Sequence, residues 1–370
     1  MRILSYQNVA VPATTAHSLY TVRTSAELSL SAPVTMIASR RAVGGSFDEL
    51  YGFRLEDRPH LELALPPTSN ATLASVWRRL AASRWIGASR GRGSIVFVTQ
   101  ARPLRHFARM RKGRRERFTL VVECHSLAEP WGSEIETVDG ILSTTASLEA
   151  SLLERFPALR HKPRMLSPHR VVPASAPDVE ALAREKERFV LGYVGSLMAW
   201  KGVAVLIDAM AILPERFEAH VVGGEREDAD REALVRRARE RGVSNRIRFT
   251  PFVPASRLPE TLREVDAFVL PLYDAAHGSS PMKLFEYLAA GRPVLASDLP
   301  SVREVVSHGG SARLFAPGDP DALAEQARRL AHSSFEERLR MVERGLEAVA
   351  PRTPAAWRES IFAWFDTLVL

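Results

Sequence analysis

The run Phe189-Val-Leu-Gly-Tyr-Val194, the turn Gly195-Ser196-Leu-Met-Ala-Trp-Lys201-Gly202, the apolar segment 204–213 and the run 218–222 decide the fold. The two outer runs have the length and apolar character of buried strands, and the middle segment reads as a helix. Strand, helix and strand in that order make a crossover unit, whose strands are parallel and covered on both faces. Toward the C-terminus the alternation continues with a helix at 230–241, a strand at 247–249, a helix at 258–265 and strands at 267–271 and 293–296 around a further helix. Toward the N-terminus, strands at 3–9, 34–38, 95–99, 120–124 and 140–144 alternate with helices that include 17–30 and 72–83. At 370 residues the chain exceeds the size at which one core stops growing. The reading is an α/β protein of two doubly wound, Rossmann-like parallel-sheet domains facing across a cleft, the first over 1–172 and the second over 173–353. The turn-prone Pro173-Ala-Ser-Ala-Pro177 opens the second domain. After Pro351 and Pro354 a last helix, within 354–370, carries Trp357, Ile361, Trp364 and Leu368 at helical spacing and is expected to pack back on the first domain.

Open α/β sheets bind ligands beyond the carboxyl ends of their strands, so the turns there hold the candidate site residues. Gly195, Ser196 and Lys201 combine an exposed backbone, a hydroxyl and a point positive charge, which suits a diphosphate. The spacing is neither a Walker loop nor Gly-x-Gly-x-x-Gly, and a surface lysine on an ordinary turn is the plainer alternative. Gly224, second of a glycine pair after 218–222, would let a nucleoside approach the backbone. The third turn, His277-Gly-Ser-Ser280-Pro-Met282-Lys283-Leu-Phe-Glu286, opens a helix whose first amides have no internal partners and attract anions. Glu286 lies near its middle, where a carboxylate can accept two hydrogen bonds from a ribose diol. A merely solvated glutamate is the alternative.

The composition, 46% hydrophobic and 25% charged, is that of an ordinary globular protein. Without an apolar run of roughly 20 residues or a leader-like start, the expectation is a cytoplasmic protein. The single cysteine, Cys124, excludes an internal disulfide and argues against a cysteine-based metal site. A net charge of +7 favours phosphate-bearing ligands, anionic lipid or nucleic acid. The basic run from Arg102 to Arg117 has helical spacing in its first half. It reads first as a crossover helix with a solvated basic face and second as a peripheral contact with an anionic membrane. Asp228-Ala-Asp230 is formally Asp-x-Asp but opens a helix, where Asp is a cap, so no metal and no cofactor are expected.

Taken in order, Gly195-Ser-Leu-x3-Lys201-Gly, Val221-Val-Gly-Gly224, Arg248-Phe-Thr-Pro-Phe252-Val253, Val265-Asp-Ala-Phe-Val-Leu-Pro271 and Ser280-Pro-Met-Lys-Leu-Phe-Glu286-Tyr resemble the donor domain of the retaining glycosyltransferases of family 4, with the GT-B fold. The resemblance covers about 190–330. It implies a metal-independent, retaining transfer of a sugar from a UDP- or GDP-type donor to a hydroxyl acceptor such as a natural product, a lipid-linked glycan or a polysaccharide. It further implies that Glu286 holds the ribose and Lys201 the diphosphate, that Ser280, Met282 and Lys283 grip the distal phosphate and sugar, and that Phe252 and Val253 meet the base. His125 resembles the histidine that reaches the donor sugar; a histidine capping a strand end is the alternative. The loop after the first strand, with Thr14, Thr15 and His17, is the candidate acceptor side. The chain departs from the family at three places: Gly278 replaces the first glutamate of a paired element, Ser196 replaces an arginine, and Pro168-His-Arg-Val-Val172 replaces Pro-Asn-Gly-Val-Asp. These departures leave open a catalytically degenerate, nucleotide-sugar-binding partner subunit. A GT-B epimerase or phosphorylase fits less well.

Overall fold

The computed structural model describes residues 1–13, 15–40, 47–88, 93–112, 118–183, 187–224, 229–254, 257–273 and 281–368. It divides into two units, the first holding 1–168 and the chain from 354 onward, the second holding the described residues between 169 and 353.

In the first unit the strands are β1 (Arg2–Val11), β2 (Val34–Arg40), β3 (Leu61–Ala64), β4 (Ser94–Val98), β5 (Thr119–Cys124), β6 (Gly140–Ser143) and β7 (Arg164–Leu166). They lie in the order β3-β2-β1-β4-β5-β6-β7, every pair parallel. The period of two sends alternate side chains to opposite helical layers. Val96, Val98, Leu120 and Val122 pack with Leu104 and Phe107 on one face. Ile95, Phe97 and Val121 pack with Val22, Trp357, Ile361 and Phe365 on the other. Cys124 is fully buried, and burial pushes its thiol well above the ordinary range, so it is an inert core residue.

The second unit holds β8 (Phe189–Val194), β9 (Phe217–Val222), β10 (Ile247–Thr250), β11 (Ala267–Leu270), β12 (Val294–Ser297) and β13 (Arg313–Phe315). Their order is β10-β9-β8-β11-β12-β13, again all parallel. Leu191, Val221, Val269 and Leu295 face the helices Val203–Ile212 and Pro320–Ala331. Val194, Val222, Phe268 and Ala296 face the helix Met282–Ala289.

The strand-and-helix alternation is as the sequence reads, with three differences that have simple causes. β3, β7 and β13 are not expected from sequence; they are outermost strands of three or four residues, and β3 and β7 are partly exposed, so they lack the apolar run of central strands. The helix expected over 258–265 stops at Thr261, where the chain turns into the buried Val265 at the foot of β11. The division between units falls at 168/169 instead of 172/173, because Val171 is buried in the second core and its amide bonds to Arg352 O at 3.0 Å. Ala174 N likewise donates to Ala289 O at 2.7 Å, which fastens the proline-bounded stretch to the second unit.

The last helix, Pro354–Leu368, belongs to the first unit. Trp357, Ile361 and Phe365 form its fully buried stripe, flanked by Trp364 and Leu368. Burying each of the three contributes roughly 2 kcal/mol. Trp357 Nε1 also donates to Ser167 Oγ at 3.0 Å, and Arg358 pairs with Glu27. Among the described residues no helix is long and apolar enough to cross a membrane.

Candidate functional site

In the second unit the chain leaves β8 toward β9 on one side and β11 lies on the other, so the β8/β11 edge is the switch point of that sheet. Gly195 N donates to Val222 O at 3.0 Å, and Tyr193 Oη donates to the Ser196 carbonyl at 2.6 Å, which fixes the turn that leads to Lys201. Two glycines make this packing feasible. Gly202 has φ +73° and a Cβ there would lie 1.7 Å from Pro271 O; Gly223 has φ +151° and a Cβ would lie 1.8 Å from Gly195 O. No side chain fits at either position.

The helix Met282–Ala289 is tied to the same edge by Tyr287, whose hydroxyl donates to Val194 O at 2.9 Å and accepts from Val194 N at 2.8 Å. Its ring stacks on Phe268 with centroids 4.4 Å apart. This anchoring brings Lys283 and Glu286 into the electrostatic field of Lys201. Burial first and then the Lys283 charge, opposed by Glu286, bring the Lys201 ammonium down to about 8. Lys201 Nζ also stands 3.8 Å above the Trp200 ring. Lys283 Nζ donates to Glu286 Oε2 at 2.5 Å. Burial would raise the Glu286 carboxyl, but the Lys283 charge and His169 outweigh it and hold the group well below the usual carboxylate range.

His169 is the residue that sequence reasoning passes over except as a departure from the family pattern. Its Nε2 lies 3.6 Å from Glu286 Oε1, opposite the lysine. Burial lowers its pKa against the pull of Glu286, so it meets the carboxylate as a neutral ring near neutral pH. Nearby turns complete the edge. Phe252 N donates to Gly224 O at 2.8 Å, and the Phe252 side chain is 39% exposed while Val253 packs into the core. Ser280 and Gly278, like Asp228, lie outside the described residues; Asp230 sits in the first turn of the helix Ala229–Glu240.

At the carboxyl edge of the first sheet the structure brings His17 and His125 together, with ring centroids 5.9 Å apart. His17 Nε2 bonds to Thr99 Oγ1 at 3.0 Å, and Thr99 in turn donates to Gln7 Oε1 at 2.6 Å. Burial and then His125 lower the His17 pKa to about 4, so this ring is neutral. His125 Nε2 lies 3.2 Å from Glu123 Oε2, and the Tyr20 ring meets it edge-on at 4.6 Å. Glu123 is fully buried and accepts from Tyr20 Oη and Ser167 Oγ, each at 2.7 Å. His125 is therefore oriented by a carboxylate that Trp357 supports through Ser167. Thr15 caps the helix Ala16–Leu28 by accepting from Ser18 N at 3.3 Å, so its hydroxyl is already engaged; Thr14 lies outside the described residues.

The basic run forms the helix Ala101–Lys112, and its end at 113–117 lies outside the described residues. Arg111 forks onto Asp139 with two bonds of 2.9 Å, and Arg105 donates to Pro130 O at 2.5 Å, so part of the basic face is neutralised or satisfied internally.

Residues 176–348, which contain this second edge, match the family described as glycosyl transferases group 1. That segment belongs to the group 1 glycosyl transferases. The chain is 27% identical over 239 residues to the D-inositol 3-phosphate glycosyltransferase of Nocardia farcinica, covering 60% of this chain and 51% of that protein. It spans about half the length of the curated relatives it matches, 51% of this one and 34% and 44% of two others. Among solved structures, sucrose-phosphate synthase from Thermosynechococcus elongatus aligns with a TM-score of 0.77 at 17% identity, over 100% of this chain and 99% of that one. Anabaena HepE in complex with UDP and glucose aligns with a TM-score of 0.75 at 17% identity, over 99% and 100%. At such identities the likeness shows the fold alone, two Rossmann-like parallel-sheet domains of the GT-B type.

Proposed function

We propose that the chain is a retaining, metal-independent glycosyltransferase that moves a sugar from a nucleoside-diphosphate donor to a hydroxyl acceptor. The observation that carries this is the convergence of Lys201, Lys283 and Glu286 at the β8/β11 edge of a group 1 domain. Glu286, held ionised, accepts from the ribose hydroxyls. Lys201, Lys283 and the first amides of the helix Met282–Ala289 meet the diphosphate, where charge builds as the glycosidic bond breaks; stabilising developing charge is usually the largest catalytic contribution. Phe252, with its exposed ring beside Gly224, is assigned to the base. His125, aimed by Glu123, is assigned to the transferred sugar, and His17 to the acceptor side. The solved relative holding UDP supports a uridine nucleotide as the first donor to try, with guanine nucleotides next. The acceptor is a natural product, a lipid-linked glycan or a growing polysaccharide.

Incubation with a panel of UDP- and GDP-sugars, read as nucleotide release with and without acceptors and as product anomer by NMR, tests the proposal. Release from at least one donor that Lys201→Ala and Glu286→Ala abolish is expected. Nucleotide binding without release from any donor or acceptor would favour the second reading, a degenerate binding subunit, which the replacements at Ser196 and Gly278 make specific.

A further inference from the structure

We propose that the first unit carries an anion site, built from Arg78, Arg79, Arg102 and His106, that receives a phosphate-type group of the acceptor. Topology puts it where a ligand is expected. β1 and β4 are adjacent, and the chain proceeds from them to opposite sides of the sheet, so their carboxyl ends form the switch-point crevice of this unit. The helix Ala71–Ala88 brings Arg78 and Arg79 to that edge, and the helix Ala101–Lys112 brings Arg102 and, one turn on, His106. With Tyr6 and Asn8 of β1 they line a pocket of about 30 Å³, the share of space of one water-sized group such as an anion oxygen.

The chemistry of the lining points to an anion. Arg78 is only 8% exposed, yet its Nη1 donates to the neutral Asn8 Oδ1 at 3.1 Å, and among the described residues its buried Nε has no hydrogen-bond partner. Among the described residues no carboxylate forms an ion pair with Arg78, Arg79 or Arg102. A buried cation without a counter-charge is costly, and an anion entering the pocket removes that cost. His106 Nε2 is likewise buried and unpartnered. Burial and then Arg79 and Arg109 lower its pKa, which adds a neutral hydrogen-bonding group to three fixed positive charges. Guanidinium forks match paired oxygens, and three of them suit the two charges of a phosphate ester better than the single charge of a carboxylate. The acceptor assignment rests on the glycosyltransferase reading; the anion site does not.

Calorimetric titration of inorganic phosphate into the full chain, held with excess UDP so that the second unit's diphosphate edge is occupied, tests it. Saturable millimolar binding is expected, weakened at least tenfold in Arg102→Ser and in Arg78→Met, with UDP affinity unchanged in both. Arg102 is exposed, so its variant keeps the test valid should Arg78→Met misfold. Equal phosphate affinity in the wild type and Arg102→Ser, or no saturable binding in the wild type, overturns the site. Failure of UDP to bind the wild type counts against the donor reading instead, and the difference between wild type and arginine variants still reports on the anion site.

Discussion

Raising the pH from 7 to 9 should weaken nucleoside-diphosphate binding about tenfold through Lys201 alone. The ammonium titrates near 8 because burial, and then Lys283, disfavour its charge while Glu286 only partly restores it. The cationic fraction therefore falls from about 0.9 to about 0.1 across that interval, a loss of about 1.4 kcal/mol if only the cation binds. The sign follows from the charges: an anionic diphosphate binds the protonated form and raises the lysine's pKa in the complex, so affinity is level below about pH 7 and declines above 8. UDP titrations at pH 7, 8 and 9 and constant ionic strength would be compared between wild type and Lys201→Arg. The guanidinium stays charged throughout, so titration of the ligand and of other groups cancels in the ratio of the two affinities. A ratio that is constant between pH 7 and 9 would refute the placement of Lys201 on the diphosphate.

Glu286→Gln should preserve the fold and weaken UDP binding by roughly 1.5–3 kcal/mol, the range for a hydrogen bond to a charged group; an unchanged Kd would remove the carboxylate from the ribose. Gly202→Ala, with a Cβ directed into Pro271 O in a left-handed backbone, should cost more than about 2 kcal/mol in urea unfolding, and a stable variant would mean that the turn relaxes freely. His125→Ala should slow transfer roughly 10²-fold while leaving UDP affinity nearly unchanged. A variant that loses only thermal stability would mark the histidine as structural. Trp357→Ala should destabilise the first unit by about 3–5 kcal/mol, seen as an earlier calorimetric transition with the second unit's transition unmoved.

The parallel sheets were legible because central strands such as β4, β11 and β12 are buried on both faces and so read as nearly continuous apolar runs. The outermost strands β3, β7 and β13 gave no such signal. Lys201, Lys283 and Glu286 could be nominated as candidates because they sit next to turns at strand ends. His169 could not, since its importance lies in reaching, 117 positions along the chain, a carboxylate on another element. Arg78 was invisible for a related reason: in the sequence it is one basic residue on an amphipathic helix, and only packing against Asn8 shows that its charge is buried. The network from Trp357 through Ser167 and Glu123 to His125 joins residues up to 232 positions apart and has no local signature.

Because the stripe of Trp357, Ile361 and Phe365 completes a core begun 350 residues earlier, the first unit is discontinuous in the chain and the second is inserted within it. A ribosome that has released residues 1–168 has yet to make the side chains that cover one face of that sheet, so the nascent first unit must wait, partly uncovered, while the inserted unit folds ahead of it. Separately produced 1–353 and a peptide of the last helix should accordingly reassemble, which would turn that helix into a handle for assembling the protein from two pieces on demand.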